Sequence, residues 1–228
     1  MAILVFAWAG MIGSSLAYGA GWIGASLCIP LVALFASLTH ELEHDLIHWM
    51  YFRRRPWAHH LMMALVWVAR PSTVNPWLRR KLHFNHHKHS GTETDIEERA
   101  ITNGEGWTFA RFLMTADAGA SVLMRLSRVP DARSRLRLLV RALVAYFPLG
   151  WIHWSLWWGF LAYALANAIS VTVTGVAPVW PPAMQAVLPT VQFLIVVWIA
   201  PNVLRSFCLH FISSNMHYYG DIEDGNLM

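Results

Sequence analysis

The sequence predicts an all-α integral membrane protein: four transmembrane helices in two hairpins, with a helical, His-rich region on the cytoplasmic side. Three observations carry this expectation. Of 228 residues, 56% are hydrophobic and only 13% charged, against roughly 25% charged in a soluble domain. No Asp, Glu, Lys or Arg occurs from Met1 to Thr39 or from Ala142 to Leu204. Of the 17 Lys and Arg residues, all but Arg205 fall between Arg53 and Arg141. The first observation excludes an ordinary soluble enzyme. The third removes the case for nucleic acid, because the net charge of +4 comes from a basic loop of the kind that stays on the cytoplasmic side of a bilayer.

A helix needs about 20 apolar residues to cross a bilayer. The first charge-free block turns near Gly19-Ala20-Gly21, which predicts spans over about 2–18 and 22–43. The second is broken by Pro178, Pro181 and Pro182, which predicts spans over about 142–174 and 183–204. The N-terminal stretch lacks a basic leader and runs straight into more apolar sequence, so it reads as a span and not a signal peptide. An even number of spans on each side of the basic loop places that loop, the tail after Arg205 and both termini on one side, the cytoplasmic one. The apolar run Trp57 to Ala69 is too short to span easily and is expected to be interfacial or re-entrant. Arg133, Arg137 and Arg141 recur at helical spacing, with Leu136, Leu139, Val140 and Leu143 on other faces. That pattern suits a helix at headgroup level, as a positive-inside anchor or in lipid recognition. Trp151, Trp154, Trp157 and Trp158 read as an aromatic belt or packing stripe. Cys28 and Cys208 provide neither a disulfide framework nor a zinc motif. Residues 1–228 read as a single membrane domain.

Twelve His residues are present, and only His153 lies inside a charge-free block. The first cluster, His40-Glu-Leu-Glu-His44-Asp-Leu-Ile-His48, begins where the second span leaves the lipid. Residues four apart share a helix face with Cβ atoms about 6 Å apart, so His40 and His44 can bind one metal or face a pair, and His48 continues the same face. Glu41, Glu43 and Asp45 can accept from ligand N–H groups or serve as ligands. The second cluster is His83-Phe-Asn-His86-His87-Lys-His89. Here His83 and His86 share a face, while His87 turns about 100° toward a second centre. A third, looser group follows the fourth span with His210 and His217. His210 and the pair His59-His60 read as interfacial, and His153 as a hydrogen-bonded packing residue.

At these residues the chain resembles the integral-membrane fatty acid desaturase and hydroxylase superfamily. His40 and His44 match its first His box, and His83, His86 and His87 its second. The stretch Asn215 to Asp221 is similar to the segment that supplies one further ligand, which would be His217. The resemblance implies two non-haem iron ions held by His40, His44, His83, His86, His87 and His217, with no catalytic residue beyond the metal site. It implies a fatty acyl desaturase that uses O2 to place a C=C bond in a lipid acyl chain, or a lipid hydroxylase of the same fold. The implied partners are the acyl lipid, the bilayer and a separate electron donor of ferredoxin, rubredoxin or cytochrome b5 type, since no His-Pro-Gly-Gly haem motif is present. No H-x-x-H-H follows the fourth span. The resemblance therefore implies a C-terminally incomplete domain, expected to be inactive by itself and to bind only part of the iron.

Two other readings remain. His40-Glu41-Leu-Glu-His44 also satisfies H-E-x-x-H, the motif of a zinc protease with Glu41 as general base, but this leaves the second cluster unused. A His-rich metal transporter would want polar ligands at mid-membrane, where only His153 is found.

Overall fold

The computed structural model describes residues 1–89 and 108–216. Among the described residues every regular element is helical. The first hairpin pairs α1 (Ala2–Gly19) with α2 (Ala25–Ile47). Two glycines close it. Gly21 adopts φ +74°, a left-handed value that glycine takes without strain, and a Cβ on Gly10 would collide with the Phe35 ring, so glycine lets the helices meet.

Two short helices follow. The run predicted to be interfacial forms α3 (Pro56–Val68), which starts with proline at its first position, where the missing N–H costs nothing. Its buried face, Met62, Met63 and Val66, packs with Leu4, Leu42 and Leu46 of the hairpin. Next comes α4 (Pro76–His89). Asn75 precedes it and accepts the Trp77 N–H through Oδ1 at 3.0 Å, taking one of the unpaired donors of a helix start. After residues 90–107 come α5 (Phe109–Ala116), α6 (Ala118–Arg128) and α7 (Ala132–Tyr146). The last two are capped by Asp117 and Asp131, which accept the N–H groups of Ala120 and Ser134.

The second hairpin is α8 (Leu149–Thr174) and a long fourth segment: α9 (Pro182–Leu194), a π turn (Ile195–Ile199) and α10 (Ala200–Met216). Pro201 explains the π turn. It has no N–H for the Val197 carbonyl, and the helix takes up one extra residue, with the Ala200 N–H reaching back to Ile195. The wide turn also aims Trp198 and Asn202 at α3. Trp198 Nε1 donates to Val68 O at 2.8 Å, and Asn202 Nδ2 to Ala69 O at 3.1 Å. These bonds satisfy carbonyls that the end of α3 leaves open.

Among the described residues, four helical segments are long and apolar enough to cross a membrane: Ala2–Gly19, Ala25–Ile47, Leu149–Thr174 and Pro182–Ile212. All four expected spans are therefore present, with shifted edges. The third starts at Leu149 and not near 142, because Phe147-Pro148 separates it from α7. The fourth continues past 204, since Arg205 is buried and so does not end the helix.

Candidate metal centre

The site is built where the end of α2 meets α4. On α2, His44 and His48 are one turn apart, and on α4 so are His83 and His87. One ligand atom from each lies within 4.8 Å of all the others. The Nε2 atoms of His48, His83 and His87 form a near-equilateral triangle with sides of 3.1, 3.2 and 3.1 Å. The His44 ring adjoins it, with its centroid 4.7 Å from that of His48 and 5.0 Å from that of His83.

This triangle is a test of whether a metal fits. Nitrogens bound at about 2.0–2.1 Å to one ion stand roughly 2.8–3.4 Å apart, from octahedral to tetrahedral arrangements. The observed sides fall in that range. Three imidazole nitrogens converging on one point also compete for the few protons available to pair them, whereas a shared cation satisfies all three lone pairs. Burial, joined by the neighbouring imidazoles of His44, His83 and His87 and by Arg80, holds His48 below its ordinary pKa. The neutral form thus favoured is the one that ligates.

Charge on the protein side holds the two helices in register. Glu43, fully buried on α2 between His40 and His44, forms ion pairs with Arg70 and with Arg79, the latter at 2.9 Å. Arg70 follows α3 and is itself fully buried; Arg79 lies on α4, one turn before His83. One carboxylate therefore clamps α3 and α4 against α2. Asp45 Oδ1 stands 3.7 Å from His44 Nδ1, and its other oxygen accepts the Tyr51 hydroxyl at 3.0 Å. That carboxylate can orient the His44 ring. Arg80 sits 5.4 Å from the ring centres of Trp49 and Phe84, covering the outer side of His48.

A model of the fatty acid desaturase family matches residues 20–227. The chain belongs to the fatty acid desaturase family. With four apolar spans, this desaturase-family chain is a multi-pass membrane protein with a lipid context. Neither a curated protein nor a solved structure matches it.

The sequence-based ligand set maps onto this family member unevenly. His44, His83 and His87 are brought together. His40 is not in that group; its Nδ1 accepts from Arg70 Nη1 at 3.2 Å. His86 flanks the group, with its ring 5.9 Å from His83 and 5.7 Å from His87. His217 lies outside the described residues. It is His87 and not His86 that pairs with His83, because a step of four turns a helix by 40° and a step of three by 60° the other way. His48 was absent from the expected ligands although the signal was present, since it extends the four-residue spacing of His40 and His44. Elsewhere, His59 is buried against Trp49, and His60 accepts the Trp77 indole N–H at 3.0 Å. His210 donates from Nδ1 to Thr115 O at 3.0 Å. Buried His153 lies 3.9 Å from Asp117 Oδ2.

Proposed function

We propose that this protein is a membrane fatty acyl desaturase that holds two non-haem iron ions and uses O2 to form a C=C bond in a lipid acyl chain. The observation that carries the reading is the convergence of His44, His48, His83 and His87 at the end of a membrane span, in a chain of this family. Neutral imidazoles are borderline ligands that suit iron. We assign these four to one ion, and His40, His86 and His217 to the second. The iron pair, when bound, supplies the one-electron chemistry that removes hydrogen from an unactivated C–H bond.

The chain's own residues hold and shield that chemistry. His48 and His83 present Nε2 from two different helices, so the centre forms only when α2 and α4 are docked. Glu43 maintains the docking through Arg70 and Arg79. Arg70 also donates to His40 Nδ1, which puts the proton of the neutral ring on Nε2, so His40 joins the second ion only by giving up this bond. The apolar spans admit the acyl chain without polar contacts and keep water away from the reacting carbons. Electrons come from a separate carrier of ferredoxin, rubredoxin or cytochrome b5 type, and the His groups face the cytoplasm, following the basic loop.

Zinc proteolysis through H-E-x-x-H needs His40 and His44 on one ion. His44 groups with His48, His83 and His87 and not with His40, which favours the desaturase reading over it.

The test is metal content and lipid composition together. Protein purified from membranes should retain iron, and His83→Ala should lose it. Lipids of cells expressing this chain joined to a segment with the H-x-x-H-H box should gain an alkene by mass spectrometry only when iron and O2 are supplied. Zinc as the sole retained metal overturns the reading, and a new hydroxyl in place of the alkene replaces desaturation with hydroxylation.

A further inference from the structure

The helix α7 carries a pattern that the iron centre does not use. None of its fifteen residues is buried. Leu136, Val140 and Val144 recur at steps of four and are 60%, 50% and 59% exposed. Arg133, Arg137 and Arg141 recur at the same step and are exposed too. At 100° per residue, the two rows run side by side along one outward face. Arg135 points elsewhere, bonding back to the carbonyls of Val129 and Pro130. The helix itself contains no Asp or Glu, and the carboxylate at its start, Asp131, is occupied as its cap.

A face half aliphatic and half guanidinium is poorly matched to water or to hydrocarbon alone. Water leaves three aliphatic side chains exposed, and hydrocarbon strips the charges. The headgroup zone of a bilayer satisfies both, with the aliphatic row at the acyl boundary and the guanidiniums at the phosphates, which their fork geometry suits. The junction with α8 places the helix at that level. Phe147 and Trp151, 53% and 43% exposed, continue the apolar row onto the first turn of the third span. Trp151 Nε1 donates to Leu143 O at 2.9 Å, tying α7 to the base of the span at the depth where tryptophans concentrate.

We propose that α7 and its junction with α8 form a binding surface for anionic phospholipid headgroups. Charge complementarity selects the anionic class, because three guanidiniums stand in one row on a helix without a carboxylate. The surface is also joined to the metal-bearing helix. The Asn75 N–H donates to Ala145 O in the last turn of α7 at 2.7 Å, and the Asn75 side chain caps α4. The proposal depends on the membrane placement of the chain and not on iron or on turnover.

The test uses the purified full chain in mild detergent, titrated with phosphatidylglycerol or phosphatidylcholine and read by native mass spectrometry and thermal unfolding. The wild type should retain phosphatidylglycerol preferentially and be stabilised by it. Arg137→Gln alone should lower that preference about fivefold, and the triple change R133Q/R137Q/R141Q should abolish it, since each cation near the surface contributes about 1 kcal/mol. The triple lysine variant R133K/R137K/R141K keeps the charge and should keep most of the preference. Equal affinity of the wild type for the two lipids, or wild-type preference in Arg137→Gln, overturns the proposal. Neither readout involves metal, so failure here leaves the desaturase reading standing, and the reverse also holds.

Discussion

His48 and His83 come from helices separated by a third helix in sequence, yet their Nε2 atoms stand 3.1 Å apart. His48 closes α2 as its C-cap, and His83 is buried in the middle of α4. Two donors so placed cannot be brought together by either helix alone. The contact is the tertiary event that turns two His-rich helix ends into one site.

The first prediction follows from that contact. His48→Ala should reduce metal retention at least as much as His44→Ala or His87→Ala, by more than about tenfold in each case. His89→Ala should leave it within error, since its Nδ1 faces its own helix at Asn85 O, 3.2 Å away. Elemental analysis of the purified variants measures this. Full metal content in His48→Ala would remove that residue from the site.

Glu43 should be the most sensitive acidic residue in the first His cluster. Glu43→Gln leaves Arg70 fully buried without its carboxylate partner, a loss of about 3–5 kcal/mol when a buried pair is broken. Glu41, although adjacent in the motif, is exposed, and Glu41→Gln should change stability by less than about 0.5 kcal/mol. Thermal unfolding in detergent compares the two. A milder effect for Glu43→Gln than for Glu41→Gln would contradict the clamp.

Metal removal should loosen α4 from α2. A ligand at about a hundred times its dissociation constant stabilises the folded state by about 2.7 kcal/mol. Chelation should therefore lower the unfolding temperature of the wild type and raise hydrogen exchange in Pro76–His89. His83→Ala, which lacks the site, should show no response to the chelator.

His59 sets a pH dependence. Its ring is buried and stacked on Trp49 at 3.8 Å; Nδ1 donates to Tyr51 O at 3.3 Å, and Nε2 has no partner among the described residues. Burial lowers its pKa, because a second proton would create an N–H with no acceptor. The folded state thus favours the neutral ring. Its stabilisation is complete above the ordinary value of about 6.5 and is lost as pH falls through the lower folded value. His59→Phe preserves the stacking and removes the titration, so its unfolding temperature should vary less with pH over this interval. An unchanged slope would assign the acid sensitivity to other groups.

The four spans, the basic segment between them and the His spacing at the helix ends are legible in the chain before it folds. These are local properties: hydropathy over about 20 residues and a repeat of one helical turn report directly on composition and periodicity. The sequence also marked His44, His83 and His87 as possible ligands. Helix packing alone brings His48 to join them and turns His40 to Arg70. Those outcomes depend on the rotation of α2 against α4. Glu43 fixes that rotation by reaching Arg70 and Arg79, partners 27 and 36 residues away. Helical periodicity says which residues share a face, but the face that meets another helix is selected by long-range ion pairs and packing, which no local window of sequence contains.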